Sequence, residues 1–151
     1  FTSSSRGAMG DISGSWICSH ADNMEKFMEA VGMSWMMRKA ASGFGFGVGK
    51  QKAKITGGAP GSTDVIVVNI DPTGKETTVE LKTDGLEYPK EGPFGGQGKV
   101  KTVWEGNILA QRFTSDAGDK VIDIRRSMEG DKLVFDLSCN GVAARRTFTR
   151  T

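Results

Sequence analysis

Residues 11–41 read DISGSWICSHADNMEKFMEAVGMSWMMRKAA, and their hydrophobic pattern changes partway along. Up to Ser19 the apolar side chains fall on alternate positions, which is typical of a strand with one buried face. From Asp22 onward they recur every three or four residues, as on a helix, and Gly32 interrupts the run. We therefore predict one strand and then two short helices that meet near Gly32, with Ser19 or Asp22 as the first N-cap.

After residue 41 the helical pattern stops, and strand-like runs alternate with short turns. The clearest turn is Asn140-Gly141, the pair preferred in a two-residue type I′ hairpin. The glycines at positions 43, 45, 47 and 49 are interpreted as allowing strand curvature. The pattern predicts nine strands, at 45–56, 64–71, 76–83, 86–89, 99–105, 108–115, 120–128, 132–139 and 142–149.

One strand, two helices and nine further strands predict an all-β fold, a ten-stranded up-and-down antiparallel β-barrel of the β-clam type. The helix-turn-helix after the first strand would cap one open end, which favours a barrel over a sandwich. A barrel of this size leaves interior space for a ligand. We expect one domain over residues 11–151, and we interpret residues 1–10, which do not begin with Met, as an expression-vector remnant.

Composition argues against several classes of function. Lys and Arg total 20 and Asp and Glu total 18, a balance without the strongly basic character of a nucleic-acid-binding protein. Two cysteines, Cys18 and Cys139, indicate free thiols in a reducing compartment rather than a disulfide framework. A single histidine, His20, expected at the surface, argues against metal clusters and a catalytic triad. We therefore predict a cytoplasmic protein that is not an enzyme, needs no cofactor and binds no nucleic acid.

Short motifs follow one another in a fixed order along almost the whole chain after residue 10. They are GSW at 14–16, NMEKFM at 23–28, VG at 31–32, RKA at 38–40, GLEY at 85–88, KVKT at 99–102, DKLV at 131–134, NG at 140–141 and RTFTR at 146–150. Together they resemble the fatty-acid-binding proteins, the intracellular lipid-binding family of the calycin superfamily that includes the cellular retinoid carriers. The resemblance implies a ten-stranded barrel with a helix-turn-helix lid, an internal cavity and a role in carrying fatty acids, retinoids or bile acids.

The resemblance also implies a site for an acidic head group. Family members that bind carboxylates use two arginines and a tyrosine, and by motif these positions fall on Arg126, Arg146 and Phe148. Phe148 lacks the tyrosine hydroxyl. Head-group binding would then rest on the arginines and water, with Gln111 or another polar side chain compensating, or the ligand differs from that of the family.

Strand parity supports the same two arginines independently. Arg126 and Arg146 are each the one charged residue on an otherwise apolar strand face. A buried guanidinium needs a partner and matches a carboxylate with two parallel hydrogen bonds. The alternative interpretation is that both arginines pair with carboxylates at the surface. The residues predicted to line the pocket are Gln111, Ile124, Phe135, Leu137, Cys139 and Phe148.

The helical segment supplies a predicted lid or portal. Its members are Met33, Trp35, Met36 and Met37, and Lys26, Arg38 and Lys39 form a basic patch for transient contact with an anionic membrane or a simple solvated face. The turn at 72–75 lacks the bulky aromatic that the family often places there. The predicted function is monomeric transport of a long-chain fatty acid or a retinoid acid. The alternatives are an extracellular lipocalin-type carrier and a protective barrel without a specific lipid.

Overall fold

The computed structural model describes residues 10–151, so the predicted vector remnant lies outside the described residues except for Gly10. The helices are α1 (Met24–Ala30) and α2 (Trp35–Gly43), and a short 3-10 turn follows at Gly45–Gly47. The strands are β1 (Gly14–Asp22), β2 (Lys52–Thr56), β3 (Asp64–Ile70), β4 (Glu76–Lys82), β5 (Glu87–Glu91), β6 (Gln97–Glu105), β7 (Ile108–Ser115), β8 (Val121–Glu129), β9 (Lys132–Cys139) and β10 (Val142–Arg150).

The ten strands form one antiparallel sheet in the order β4-β3-β2-β1-β10-β9-β8-β7-β6-β5. Strand β1 pairs with β10, so the first strand lies beside the last in a curled sheet. Strands β4 and β5 are the two edges of this sheet. A hydrogen bond links the two sides of the seam between these edges: Trp104 Nε1 on β6 donates to the Ser62 carbonyl oxygen, just before β3, at 2.9 Å. The predicted ten-stranded β-clam with two helices after the first strand is confirmed.

The two helices differ in how they are held. Helix α1 packs on β9 and β10, buries Met24, Phe27 and Met28, and is fastened by Asn23, whose Nδ2 donates to the Ala143 carbonyl at 2.7 Å. Helix α2 packs on α1 and the 3-10 turn, and each of its residues is at least partly exposed. Neither α-helix of residues 10–151 has the length and apolar character needed to cross a bilayer.

The predicted N-caps were wrong. Ser19 and Asp22 lie within β1, because this strand continues to pair with β10 as far as Asp22. Helix α1 instead begins after Asn23, which has a left-handed backbone (φ 59°). Helix α2 begins after Ser34, whose hydroxyl accepts from the Met37 backbone N–H at 3.2 Å and so supplies a side-chain cap.

The glycine-rich segment before β2 was also predicted wrongly. Only Lys52–Thr56 of the predicted 45–56 strand is extended. Gly45, Gly47 and Gly49 have φ of 64°, 91° and 76°, values that turn the chain and that strands do not adopt. The first strand begins at Gly14 rather than at residue 11, and the other eight strands begin and end within two residues of their predicted positions.

Candidate functional site

Arg126 and Arg146 lie on the inner face of the sheet with Phe135 between them. The strand register places Arg126 opposite Phe135, and Phe135 opposite Arg146, so the three residues form one row across β8, β9 and β10. Neighbouring strands are about 4.8 Å apart, which puts the two arginine backbones about 10 Å apart. Arginine side chains are long enough to reach one ligand group from both positions.

Arg126 is a buried cation whose side chain makes one hydrogen bond to the described part of the chain. It is 5% exposed, its Nη1 donates to Gln111 Oε1 at 2.8 Å, and its guanidinium lies 4.8 Å from the centre of the Phe135 ring. Its Nε is buried without a partner among the described residues. Burial lowers the pKa of Arg126 to about 10, so the side chain still carries its charge at neutral pH.

Arg146 is in a similar position one strand beyond Phe135. Its Nε is also buried and lacks a partner within residues 10–151. Burial lowers the pKa of Arg146, and the nearby Cys18 thiol acts in the opposite direction. Burial likewise raises the pKa of Cys18. The prediction from sequence missed the proximity of Cys18 and Arg146, although Cys18 shares its strand parity with the buried Trp16.

The alternative of surface ion pairs does not hold for these two arginines. Surface ion pairs are made instead by the residue directly before each of them, which points to the opposite face. Arg125 pairs with Glu105 at 2.7 Å, and Arg145 pairs with Asp136 at 2.7 Å. None of the ion pairs within the described chain includes either inward arginine. The Arg-Arg pairs on β8 and β10 thus each place one guanidinium outside and one inside.

The six residues predicted to line the pocket are all buried. The Phe148 ring, 1% exposed, lies 4.7 Å from the Phe135 ring, centre to centre. Cys139 lies nearer to α1, and its thiol approaches the Ala30 carbonyl oxygen at 3.7 Å. The six predicted residues did not include Thr102, which is also polar and buried. The inward row beside the arginines contains Thr102, Gln111, Ile124, Leu137 and Ala144.

The residues predicted to form the lid lie in two different settings. Met33 packs against the core, whereas Trp35, Met36 and Met37 of α2 are 65%, 75% and 57% exposed. Arg38 does not contribute a free charge, because its Nε contacts Glu25 Oε2 at 2.9 Å and its Nη1 donates to the Met33 carbonyl at 2.7 Å. His20, predicted at the surface, is exposed.

Two clefts are formed by the described residues. A cleft of about 480 Å³ lies beside the seam and is lined by Thr63, Asp64, Lys82, Thr83, Asp84 and Tyr88. A second, of about 200 Å³, lies over β6, β7 and β8 and is lined by Lys101, Val103, Glu105, Ala110, Gln111, Arg112, Asp123 and Arg125. Both are lined largely by polar side chains, and Gln111 of the second cleft also belongs to the inward row beside the arginines.

Comparison with known proteins gives a consistent result, although no family model matches the chain. Fatty acid-binding protein homolog 6 of Caenorhabditis elegans is 32% identical over 139 residues, which cover 91% of this chain and 95% of that protein. Apo lipid binding protein 8 of Caenorhabditis elegans has a TM-score of 0.78 at 18% identity, covering 95% of this chain and 98% of that chain. Schistosoma mansoni fatty acid binding protein in complex with arachidonic acid has a TM-score of 0.75 at 20% identity, covering 96% and 99%. The structural likeness shows the fold, and the nearly full-length identity of 32% shows that the chain belongs to the fatty-acid-binding protein family.

Proposed function

We propose that the protein binds and carries a hydrophobic ligand with a carboxylate head group, a long-chain fatty acid or a retinoid acid. The supporting observation is the pair of inward guanidiniums of Arg126 and Arg146, whose Nε atoms lack partners and which form no ion pair within residues 10–151. A buried cation without a counterion is costly. A ligand carboxylate would supply the missing charge and accept two hydrogen bonds from a guanidinium.

The surroundings of the arginines suit a lipid tail. Ile124, Phe135, Leu137 and Phe148 present apolar surface to the interior beside them. Transfer of a methylene from water to such surroundings contributes about 0.8 kcal/mol. An acyl chain of ten or more methylenes therefore provides most of the affinity, and the arginines select the head group.

The direct test measures the binding of matched lipids to delipidated protein by native mass spectrometry and by calorimetry. We expect oleic acid and retinoic acid to bind tightly, and methyl oleate, oleyl alcohol and retinol to bind at least tenfold more weakly. Equal affinity for acid, ester and alcohol would contradict a carboxylate site. Absence of binding by every lipid would support the alternative of a barrel without a specific lipid.

Each inward arginine has a matched control directly before it in the sequence. We expect Arg146→Ala to weaken oleate binding by about 1–3 kcal/mol, the range for hydrogen bonds to charged groups. Arg145→Ala removes a guanidinium that pairs with Asp136 on the outer face, and should leave the affinity unchanged. Equal losses in both variants would show that the effect is general and not due to a head-group contact.

We also infer that the protein delivers its ligand by touching an anionic membrane. Apart from Arg38, which is paired with Glu25, residues 30–63 contain four lysines and no acidic residue. The same stretch holds five of the six large exposed apolar side chains of the described chain: Trp35, Met36, Met37, Phe44 and Val48. Lys39 lies 4.8 Å from the Trp35 ring centre, and Lys50 lies 5.3 Å from that of Phe44. Exposed apolar side chains with lysines beside them can insert into a membrane while the lysines bind anionic lipid head groups.

Vesicle transfer tests this inference. We expect the transfer rate of a fluorescent fatty acid to rise with the phosphatidylserine content of acceptor vesicles, and the double variant Met36→Ser/Met37→Ser to lose that dependence. Leu86→Ser is the control, because Leu86 is 61% exposed but lies between β4 and β5. A rate independent of vesicle composition would contradict membrane contact.

The cytoplasmic location, the monomeric state and the absence of catalysis stay predictions.

A further inference from the structure

Within residues 10–151, Gln111 is the one polar side chain that is hydrogen-bonded to a buried arginine of the site. It lies on β7 and is 6% exposed, and its Oε1 accepts the 2.8 Å hydrogen bond from Arg126 Nη1. The register places Gln111 opposite Ile124 on β8, so Arg126 comes two residues further along the same strand face. The hydrogen bond therefore joins Gln111 in one inward-facing row to Arg126 in the next row, and it fixes the direction of the Arg126 guanidinium.

The chemistry of this partner differs from that of the outer arginines. Arg112 pairs with Asp123 at 2.8 Å, and Arg125 and Arg145 also contact carboxylates. In each of these pairs the protein itself neutralises the guanidinium. An amide oxygen holds Arg126 in place and leaves its full positive charge for a ligand.

We propose that Gln111 is a positioning residue that sets the charge selectivity of the site. Its amide oxygen engages one nitrogen of Arg126 and leaves the Nε–H, which has no partner in the described chain, to interact with an ionised head group. This inference rests on the proposed function, because it assumes that the ligand is a lipid acid. The site then prefers acids to alcohols because the Gln111 side chain carries no charge and leaves that of Arg126 for the ligand.

The decisive variant is Gln111→Glu, which keeps the side-chain shape and adds a negative charge. The new carboxylate would occupy the acceptor position 2.8 Å from Arg126 Nη1, neutralise that guanidinium and repel a ligand carboxylate. We expect oleate affinity to fall by about 10- to 100-fold, the range that corresponds to loss of a charged hydrogen bond. Oleyl alcohol should bind within about threefold of wild type, since its head group carries no charge.

Two further variants separate positioning from general structure. Gln111→Met keeps the length of the side chain but removes the acceptor, and should lower oleate affinity by about tenfold with little effect on oleyl alcohol. Arg112→Met is the control. Arg112 follows Gln111 directly on β7 but is exposed, and it pairs with Asp123 at 2.8 Å. Its acid-to-alcohol ratio should equal that of wild type.

The measured quantity is the ratio of oleate to oleyl alcohol affinity, in variants whose folding is checked by urea denaturation. An unchanged ratio in Gln111→Glu overturns the inference, as does an equal loss for both ligands, which indicates a structural role. If Gln111→Glu does not fold, the ratio in Gln111→Met decides in the same way. Failure of wild type to bind oleate would instead overturn the proposed function on which the inference rests.

Discussion

Arg126 is charged, 5% exposed and without a carboxylate partner among the described residues. Replacing a buried ionic group with an apolar one of similar volume is often stabilising. We therefore expect Arg126→Met to raise the free energy of unfolding of the ligand-free protein by about 1–3 kcal/mol while it abolishes selective oleate binding. Urea denaturation of delipidated protein measures the first effect and calorimetry the second. A variant less stable than wild type would contradict the assignment of Arg126 as an uncompensated cation.

The pH dependence of that stabilisation follows from the lowered pKa of Arg126. Folding lowers this pKa to about 10, so below pH 9 the folded and unfolded chains both hold the proton. The difference in stability between Arg126→Met and wild type should therefore be the same at pH 6 and pH 8. As the pH rises through 10, the folded wild-type chain releases the proton first and recovers stability, so the difference should shrink. A change in the difference between pH 6 and pH 8 would identify another titrating group.

Phe148 stands where the family motif has a tyrosine, two residues after Arg146 on the same strand face. The Arg146 Nε–H is a buried donor that has no acceptor in the described part of the chain. A tyrosine at position 148 would add a hydroxyl oxygen on the same strand face. We expect Phe148→Tyr to bind oleate as tightly as wild type or up to about tenfold more tightly, as measured by calorimetry. A clear loss of affinity with unchanged stability would mean that the pocket requires the phenyl ring.

At the scale of elements, the β5–β6 turn is joined to the helical cap by an aromatic contact. Phe94 in this turn lies 5.3 Å from Phe27 of α1, centre to centre, with the rings at 72°. The turn at 72–75 has no aromatic side chain, and the ring packed on Phe27 is that of Phe94. We expect Phe94→Ala to lower stability by about 1 kcal/mol and to speed oleate release in stopped-flow measurements. Leu86→Ala, in an exposed connection, is the control, and equal release rates in both variants would contradict a closing role for Phe94.

The hairpin between β9 and β10 depends on the backbone of its turn. Asn140 and Gly141 have φ of 51° and 82°, as the predicted type I′ turn requires. A Cβ on Gly141 would meet no atom within 4 Å, so the cost of Gly141→Ala is conformational rather than steric. We expect a loss of about 1 kcal/mol in urea denaturation. Gly43→Ala is the matched control. Gly43 also has open space but no positive φ, and its replacement should not lower stability.

At the scale of the whole molecule, the sheet is continuous everywhere except at the seam between β4 and β5. Strands β9 and β10 pair on both sides, whereas β4 and β5 each pair on one side. Amides without a neighbouring strand exchange readily with solvent. We expect hydrogen exchange in β4 and β5 to be at least tenfold faster than in β9 and β10. Equal protection of all four strands would show that the seam is closed in solution.

Much of the fold could be predicted because strand and helix periods are local properties of the sequence. Eight of the ten strands were placed within two residues, and the Arg126 and Arg146 faces followed from parity. The segment at 43–49 could not be predicted in the same way. Alternating glycines carry no side chains to define a face, so they fit a strand and a series of turns equally well, and φ values that only the folded chain reveals decide between them.

The sequence by itself determined the strand order along the chain, the helical insertion, the family resemblance and the inward direction of two arginines. It did so because alternation and turn chemistry act over a few residues. Only the tertiary structure decided that Phe135 separates the two arginines, that Gln111 holds Arg126, and that Phe94 reaches Phe27. The first two contacts join side chains on neighbouring strands, and they depend on the rotamers and packing of the folded sheet. The contact of Phe94 with Phe27 joins segments distant in sequence, and it depends on the curl of the sheet.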